Sequence, residues 1–308
     1  MILTVCHNPS VDCTIELDFL NIGQLNRIRN KQETYAGKAL NVALSIKRLG
    51  GDCLATGFMF EENGKQFVEK FSQENLNCNF VWNPGSVRVN YKIIDNKSMM
   101  TEINDRGALV SEQKQEELIA LTKDLAKNAS IAVMSGSLPQ GVDDDFYLKL
   151  CNVIPKNVKI ILDCEGEKFK KAISAGVYLV KPNLSEFEAI TGRQYTSKSQ
   201  MIDGAKKLIS MGAKHVLLSL GQSGAILTNG STHLYCRSAT VAVNSTVGAG
   251  DSMIAAASLM IERGESLEQI LRSAVAAGTA SITTPGTNLF YKDKYQEIYD
   301  KIYVEKMI

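Results

Sequence analysis

The sequence predicts an α/β fold, a largely parallel sheet covered on both faces by helices, with a small accessory sheet. Three observations predict it. Short, continuously apolar runs alternate with segments of helical periodicity along most of the chain, the signature of strands buried on both faces. Two stretches, 13–35 and 87–103, break that rhythm with polar alternation and do not belong in a doubly covered sheet. The 308 residues contain no internal repeat, low-complexity tract or linker, so the chain reads as one domain, 1–308.

Residues 2–6 are a continuous apolar strand. In 38–49, Leu40, Ala43, Leu44, Ile46 and Leu49 recur at helical spacing, and Gly50-Gly51 ends the helix. Residues 53–58 read as a strand and 64–71 as a helix. Further strands are expected at 131–134, 158–162, 178–180 and 215–218. Helices are expected around 112–126, 144–151, 167–175, 184–191 and 199–211. The chain beyond 249 reads as wholly helical. It holds an apolar run over 253–261, a helix over 266–283 opened by Ser266 with Glu268-Gln269 behind it, and a last helix over 292–306. In the accessory sheet, period two puts Arg88, Asn90 and Lys92 on one face and Val89 and Tyr91 on the other. This sheet is read as a lid over the active site, with a plain solvent-facing hairpin as the alternative.

Bulk properties narrow the partners. With 34 basic and 33 acidic residues, nothing points to nucleic acid or a membrane surface. No apolar run approaches the ~18 residues of a membrane span, and residues 2–6 are too short and lack the basic leader of a secretory signal. Seven cysteines without a Cys-x-x-Cys pair read as reduced, mostly buried thiols, which places the protein in the cytoplasm. His7, His215 and His233 are too scattered to suggest zinc.

Residues 243–254 combine an anion cradle with a candidate base. Gly248, Ala249 and Gly250 permit a tight turn and close approach of a ligand. A helix opening there aims free N–H groups and its positive end at an anion. Asp251 falls in the first turn, placed to take the proton of an attacking hydroxyl in a phosphoryl transfer; an ordinary cap is the alternative. Residues 36–43 form a small-residue turn into a helix, where Asn41 can bond hydroxyls as donor and acceptor. Asp12 follows the first strand, at the sheet edge where open α/β folds bind ligands, although an Asx-turn would explain it equally. Ser135-Gly136-Ser137-Leu138-Pro139, Lys181-Pro182-Asn183 and Ser219-Leu220-Gly221 with Gly224 follow strands in the same way. There is no Gly-x-x-x-x-Gly-Lys-[Ser/Thr] loop and no Gly-x-Gly-x-x-Gly after a strand, which argues against a P-loop and a dinucleotide site.

Taken in order, Asn8-Pro9-x-x-Asp12, Gly37-Lys38-x-x-Asn41, the 135–139 turn, Lys181-Pro182-Asn183-x-x-Glu186, Ser219-Leu220-Gly221 and Gly248-Ala249-Gly250-Asp251 resemble one known series. It is that of the phosphofructokinase B (PfkB, ribokinase-like) sugar kinases, in their 1-phosphofructokinase/tagatose-6-phosphate kinase branch. The likeness runs from residue 3 to about 290. It implies a three-layer α/β/α sandwich with a β-lid, a homodimer through that lid, and transfer of the ATP γ-phosphoryl to a sugar hydroxyl with Mg²⁺. Asp251 would be the base, and Gly248 with the amides of Ala249 and Gly250 the anion hole. Asn183 and Glu186 would organise metal and phosphates, Glu186 meeting Mg²⁺ indirectly. Lys181, Ser219, Gly221 and Gly224 would lie on nucleotide-side loops, and Ala277 and Gly278 would flank the adenine.

On the sugar side the resemblance implies Asp12, Gly37, Asn41 and Asn90. Val87-Arg88-Val89-Asn90 resembles the lid strand whose arginine holds a phosphate already on the sugar, a task suited to a bidentate guanidinium. Lys38 and Arg27 would help, with solvated surface charge as the alternative for each. The expected reaction is fructose 1-phosphate to fructose 1,6-bisphosphate. Tagatose 6-phosphate, or another sugar phosphate of this family, is the alternative acceptor, and a non-catalytic sugar-phosphate sensor the alternative class. Four residues depart from the pattern: Ala36 and Ala39 replace glycines, Glu165 a Ser or Thr, and His7 a Leu. An alanine forced to positive φ would cost on the order of 1 kcal/mol, and its methyl would crowd the sugar.

Overall fold

The computed structural model describes residues 1–97, 99–284 and 289–307. Ser98, inside the expected lid, and residues 285–288 and 308, inside the single-domain reading, lie outside the described residues. The chain opens with β1 (Ile2–Cys6), then the lid strands β2 (Ser10–Glu16) and β3 (Asn30–Ala36). Helix α1 (Lys38–Arg48) leads to β4 (Cys53–Phe60), and α2 (Lys65–Gln73) to β5 (Asn77–Asn83). Strands β6 (Arg88–Ile94) and β7 (Met100–Asn104) complete the lid. There follow α3 (Glu112–Ala126), β8 (Ile131–Ser135), α4 (Phe146–Val153), β9 (Lys159–Asp163), α5 (Gly166–Ile173) and β10 (Val177–Val180). Next come α6 (Leu184–Thr191), α7 (Lys198–Ser210), β11 (Ala213–Ser219), β12 (Ala225–Thr228) and β13 (His233–Cys236). Last are α8 (Ala249–Glu262), α9 (Leu267–Ser281), α10 (Lys292–Lys301) and β14 (Val304–Met307).

Among the described residues, the main sheet has the order β14-β13-β12-β11-β10-β9-β8-β1-β4-β5 and the lid the order β3-β2-β6-β7. From β11 to β5 neighbouring strands are parallel. Helices α1, α8, α9 and α10 pack together, as do α3, α4, α5 and α6; these are the covering layers of the sandwich. The expected signals worked at the start of α9 (Ser266) and the end of α1 (Gly50), and the structure adds caps at α3 and α6. Ser111 caps α3, Asn183 with Glu186 and Ser266 with Gln269 form capping boxes, and Gly50 follows α1 with a φ of 78°. No described helix is long and apolar enough to cross a membrane.

The structure corrects the sequence reading in several places. The last helix stops at Lys301, and Val304–Met307 form an edge strand paired antiparallel with β13, Cys236 opposite Val304. Ile298 and Ile302, four residues apart, continue the helical pattern, but the open edge of β13 captures the segment's backbone groups instead. Strands β5, β12 and β13 were not expected. Residues 17–29 are irregular rather than extended, held by mutual Asn21–Asn26 hydrogen bonds and an exposed Asp18–Arg29 ion pair. Because β2 starts at Ser10, Asp12 is a strand residue, not an Asx-turn.

The alanine departures carry no strain. Gly37 takes the positive φ, 141°, and the space around it requires glycine, since an added Cβ would lie 3.0 Å from Cys6 Sγ. Among the described non-glycine residues only Asn75 has a positive φ. Ala36 ends β3 and Ala39 is the second residue of α1, both buried in ordinary backbone. His7 is wholly buried against Tyr147 and Phe146, and burial lowers its pKa to about 3, so it sits in the core as a neutral ring.

Candidate active site

The motif-bearing loops follow the carboxyl ends of the parallel strands, and their side chains meet beneath the lid. Helix α8 opens on Gly248 in the left-handed conformation, φ 77°. A Cβ on Gly248 would stand 3.1 Å from Leu289 Cδ2, and one on Gly250 would stand 3.1 Å from Lys181 Nζ. The left-handed backbone therefore requires glycine at Gly248, while Gly250 leaves room for the Lys181 ammonium, and the first-turn amides stay free for an anion. Asp251, 6% exposed, sits in that turn, and its Oδ2 accepts a 2.8 Å hydrogen bond from Asn41 Nδ2 on α1.

Burial pushes the Asp251 carboxyl up to about 6, and the nearby Asp163 charge adds to the rise. Lys38, Asn41 and Lys181 pull the other way. Asp163 was not selected as a site residue from the sequence, yet it is the hub of the charges here. Its Oδ2 accepts from Ser135 Oγ at 2.8 Å and lies 3.5 Å from Lys38 Nζ, while Oδ1 lies 3.4 Å from Lys181 Nζ. Burial would raise its own carboxyl, but Lys181 and Lys38 outweigh burial and hold it below the usual range. Asp163 in turn holds Lys38 above the ordinary lysine value. The signal that could have found it was an acid ending an apolar strand at the ligand-binding edge of the sheet.

On the lid, Asp12 faces the cleft with both oxygens engaged: Ser10 Oγ and Asn90 Nδ2 donate to Oδ1 at 3.0 and 3.1 Å. Lys92 Nζ donates to Oδ2 at 2.9 Å. Arg88 donates to the carbonyls of Asp105 and Asn8 at 3.0 and 3.4 Å, and its Nε is buried without a partner. Burial lowers the pKa of its guanidinium.

A cavity of about 340 Å³ gathers Asp12, Gly37, Lys38, Asn41, Arg88, Asn90, Lys181, Asn183, Glu186, Ser219, Gly248, Gly250 and Asp251. These belong to motifs spread over most of the chain. Asn183 and Glu186 close the capping box of α6 through two 2.9 Å hydrogen bonds while lining this cavity. A second cavity, of about 630 Å³, is lined by Gly221, Ser223, Arg237, Val243 and Ile282, with Lys198 Nζ 3.1 Å above the Tyr235 ring. Gly224 sits behind it, where a Cβ would overlap the Cys236 carbonyl. Lys198, Tyr235 and Arg237 were not anticipated; charged and aromatic residues without a motif give no local signal.

Three expected site residues are not brought to the cleft. Arg27 is exposed in the irregular 17–29 segment and lines neither cavity. Ala277 and Gly278 are buried between α9 and α8, where a Cβ on Gly278 would meet Met253 Cγ at 2.7 Å. Their smallness serves close packing of α9 on α8, and neither lines the two cavities.

Comparison with known proteins agrees with this geometry. The model of the pfkB family of carbohydrate kinases matches residues 7–294. A 1-phosphofructokinase of Borreliella burgdorferi is 34% identical over 91% of this chain and 91% of its own. A D-tagatose-1-phosphate kinase of Bacillus licheniformis is 33% identical over 93% and 94%. Among solved structures, phosphofructokinase-2 of Escherichia coli superposes with a TM-score of 0.91 at 30% identity, covering 97% of this chain and 98% of that one.

Proposed function

Because this chain belongs to the pfkB family of carbohydrate kinases, we propose that it transfers the γ-phosphoryl of ATP to a hydroxyl of a ketohexose 1-phosphate, fructose 1-phosphate giving fructose 1,6-bisphosphate. The observation that carries this reading is a buried aspartate at the mouth of a helix N-terminus, in one cavity with a half-buried arginine. Asp251 takes the proton of the acceptor hydroxyl as its oxygen forms the new bond to phosphorus. The bond to the β-phosphate oxygen breaks, and ADP leaves with the electron pair. The amides of Ala249 and Gly250 and the Lys181 ammonium stabilise charge on the group in transfer. Arg88, with donors only, suits the phosphate already on the sugar, and Ser219 and Gly221 border the nucleotide.

Among the described residues no group of three His, Cys, Asp or Glu side chains could hold a metal unaided. Mg²⁺ keeps several of its waters and is commonly held through nucleotide phosphates with one or two carboxylates. Glu186 would meet it indirectly, and the ion would supply charge neutralisation on those phosphates.

The names of the Borreliella burgdorferi and Bacillus licheniformis relatives support a ketohexose 1-phosphate, and the alternative acceptors are tagatose 6-phosphate and tagatose 1-phosphate. Turnover with ATP and Mg²⁺ across fructose 1-phosphate, fructose 6-phosphate, tagatose 1- and 6-phosphates, free fructose and ribose tests this. Activity on fructose 1-phosphate at least tenfold above the rest is expected; activity confined to free sugars would remove Arg88 from its phosphate role.

The same proposal includes a homodimer through the lid and a cytoplasmic setting. Phe19 (50% exposed), Ile22 (92%), Leu25 (75%) and Ile28 (53%) crowd the 17–29 segment, an apolar surface that fits a second copy. All seven cysteines are free, as in a reducing compartment. Light scattering should give twice the 33.7 kDa chain mass for the wild type and the single chain mass for Ile22→Glu. A monomeric wild type would refute the dimer.

A further inference from the structure

Lys92 has no part in the sequence motifs and none in the mechanism above, yet its ammonium is buried in the cleft. Strands β2 and β6 pair in parallel with Asp12 opposite Asn90, and Lys92 lies two residues on, on the same face. Lys92 is 7% exposed and borders a cavity of about 350 Å³ together with Asp12, Arg88 and Asn90. Burying an ammonium is unfavourable unless it is paired, and Asp12 Oδ2 at 2.9 Å pairs it.

The hydrogen-bonding capacity left over identifies a ligand. A carboxylate offers about four acceptor positions; Ser10, Asn90 and Lys92 take three, so Asp12 Oδ2 retains one. Lys92 spends one of its three N–H groups among the described residues. Asn90 turns its NH₂ to Asp12, because a carboxylate can only accept, and its Oδ1 is left buried with no partner. The unspent groups are therefore two acceptor oxygens, on Asp12 and Asn90, and three N–H donors, two on Lys92 and one on Asn90, side by side. A phosphate only accepts and would meet the Asp12 charge. A hydroxyl both gives and takes, and adjacent hydroxyls match this set.

We propose that Lys92, acting with Asp12 and Asn90, binds ring hydroxyls of the acceptor sugar and sets the discrimination between epimeric ketohexoses. The proposal rests on the carbohydrate kinase reading of the cleft and divides the labour there: Arg88 takes the phosphate, and Lys92 takes the hydroxyl stereochemistry.

The test is Lys92→Met, which keeps the stem and removes the ammonium, with kcat/KM measured on fructose 1-phosphate and tagatose 1-phosphate. The wild type should favour one epimer. The variant should lose about 10- to 100-fold on that epimer, the scale of one hydrogen bond to a charged group. The loss should appear in KM for the sugar, shrink the epimer ratio to within about threefold, and leave KM for ATP unchanged. Equal losses on both epimers would show that Lys92 only holds the lid, and a wild type indifferent to the epimers would also overturn the proposal. Should Lys92→Met unfold, the double variant Lys92→Met/Asp12→Asn removes the unpaired charge, and the ratio is read on it. Should only free sugars be turned over, the phosphate reading fails by itself, and the ratio on free fructose and tagatose still decides the role of Lys92.

Discussion

Asp251→Asn lowers kcat roughly 10²- to 10⁴-fold, the range for removing a positioned general base, while the dissociation constant for ATP stays within about twofold. The amide keeps the shape of the side chain and a contact with Asn41, so the loss isolates the proton acceptor. The wild-type pH profile carries the same assignment. A base works only when ionised, and the Asp251 carboxyl is pushed up to about 6 by burial and by Asp163. kcat/KM should therefore be level above that pH and fall about tenfold per unit below it. Stopped assays from pH 4.5 to 8 on both proteins check this. A variant with substantial turnover would remove Asp251 from the chemistry.

Asp163→Ala costs about 3–5 kcal/mol of folding stability, the usual penalty for stranding a buried charge. The stranded group is Lys181, 5% exposed in the structure and 3.4 Å from the carboxylate that would be lost. Urea unfolding read at matched slope gives the number. The milder Asp163→Asn keeps the volume and changes the charge. It removes the anion that holds Asp251 up and releases Lys38 and Lys181, which pull Asp251 down. Both effects have one sign, so the inflection of the rate profile should move to lower pH. A stable Asp163→Ala protein with an unmoved profile in Asp163→Asn would show that this charge cluster is not coupled to the base.

Much of this was legible in the linear chain for reasons that differ by residue. Asp251 stood out because glycines and an acid at the head of an apolar helix are unusual together, and their chemistry is local. Strand β1 was recognisable because a five-residue run apolar at all but Thr4 suits burial on both faces. Asp163 had only a weak local mark, an acid ending an apolar strand; its importance comes from Lys38 and Lys181, which arrive from other elements. Strand β14 escaped because a four-residue segment has little pattern of its own and is defined by the edge it joins. Ala36 and Ala39 looked strained only until the backbone placed the positive φ on Gly37. Ala277 and Gly278 were expected at the adenine from the resemblance alone, and their own residue types could not decide, because small residues serve helix contacts and ligand contacts alike.

The sequence by itself determined the alternation of strands and helices, the caps that bound them, and the residue types that make phosphoryl transfer the chemistry of the cleft. Each of these depends on neighbours within a few residues, where the helical and strand periods act. The tertiary structure alone decided which charges meet. Asn41 and Asp251 are 210 residues apart in sequence and 2.8 Å apart in the fold. Lys92 becomes a partner of Asp12 only when β2 and β6 lie side by side. The pKa of Asp251 is likewise a property of the assembled cleft, because desolvation and ion pairing act through space and depend on what the packed layers exclude.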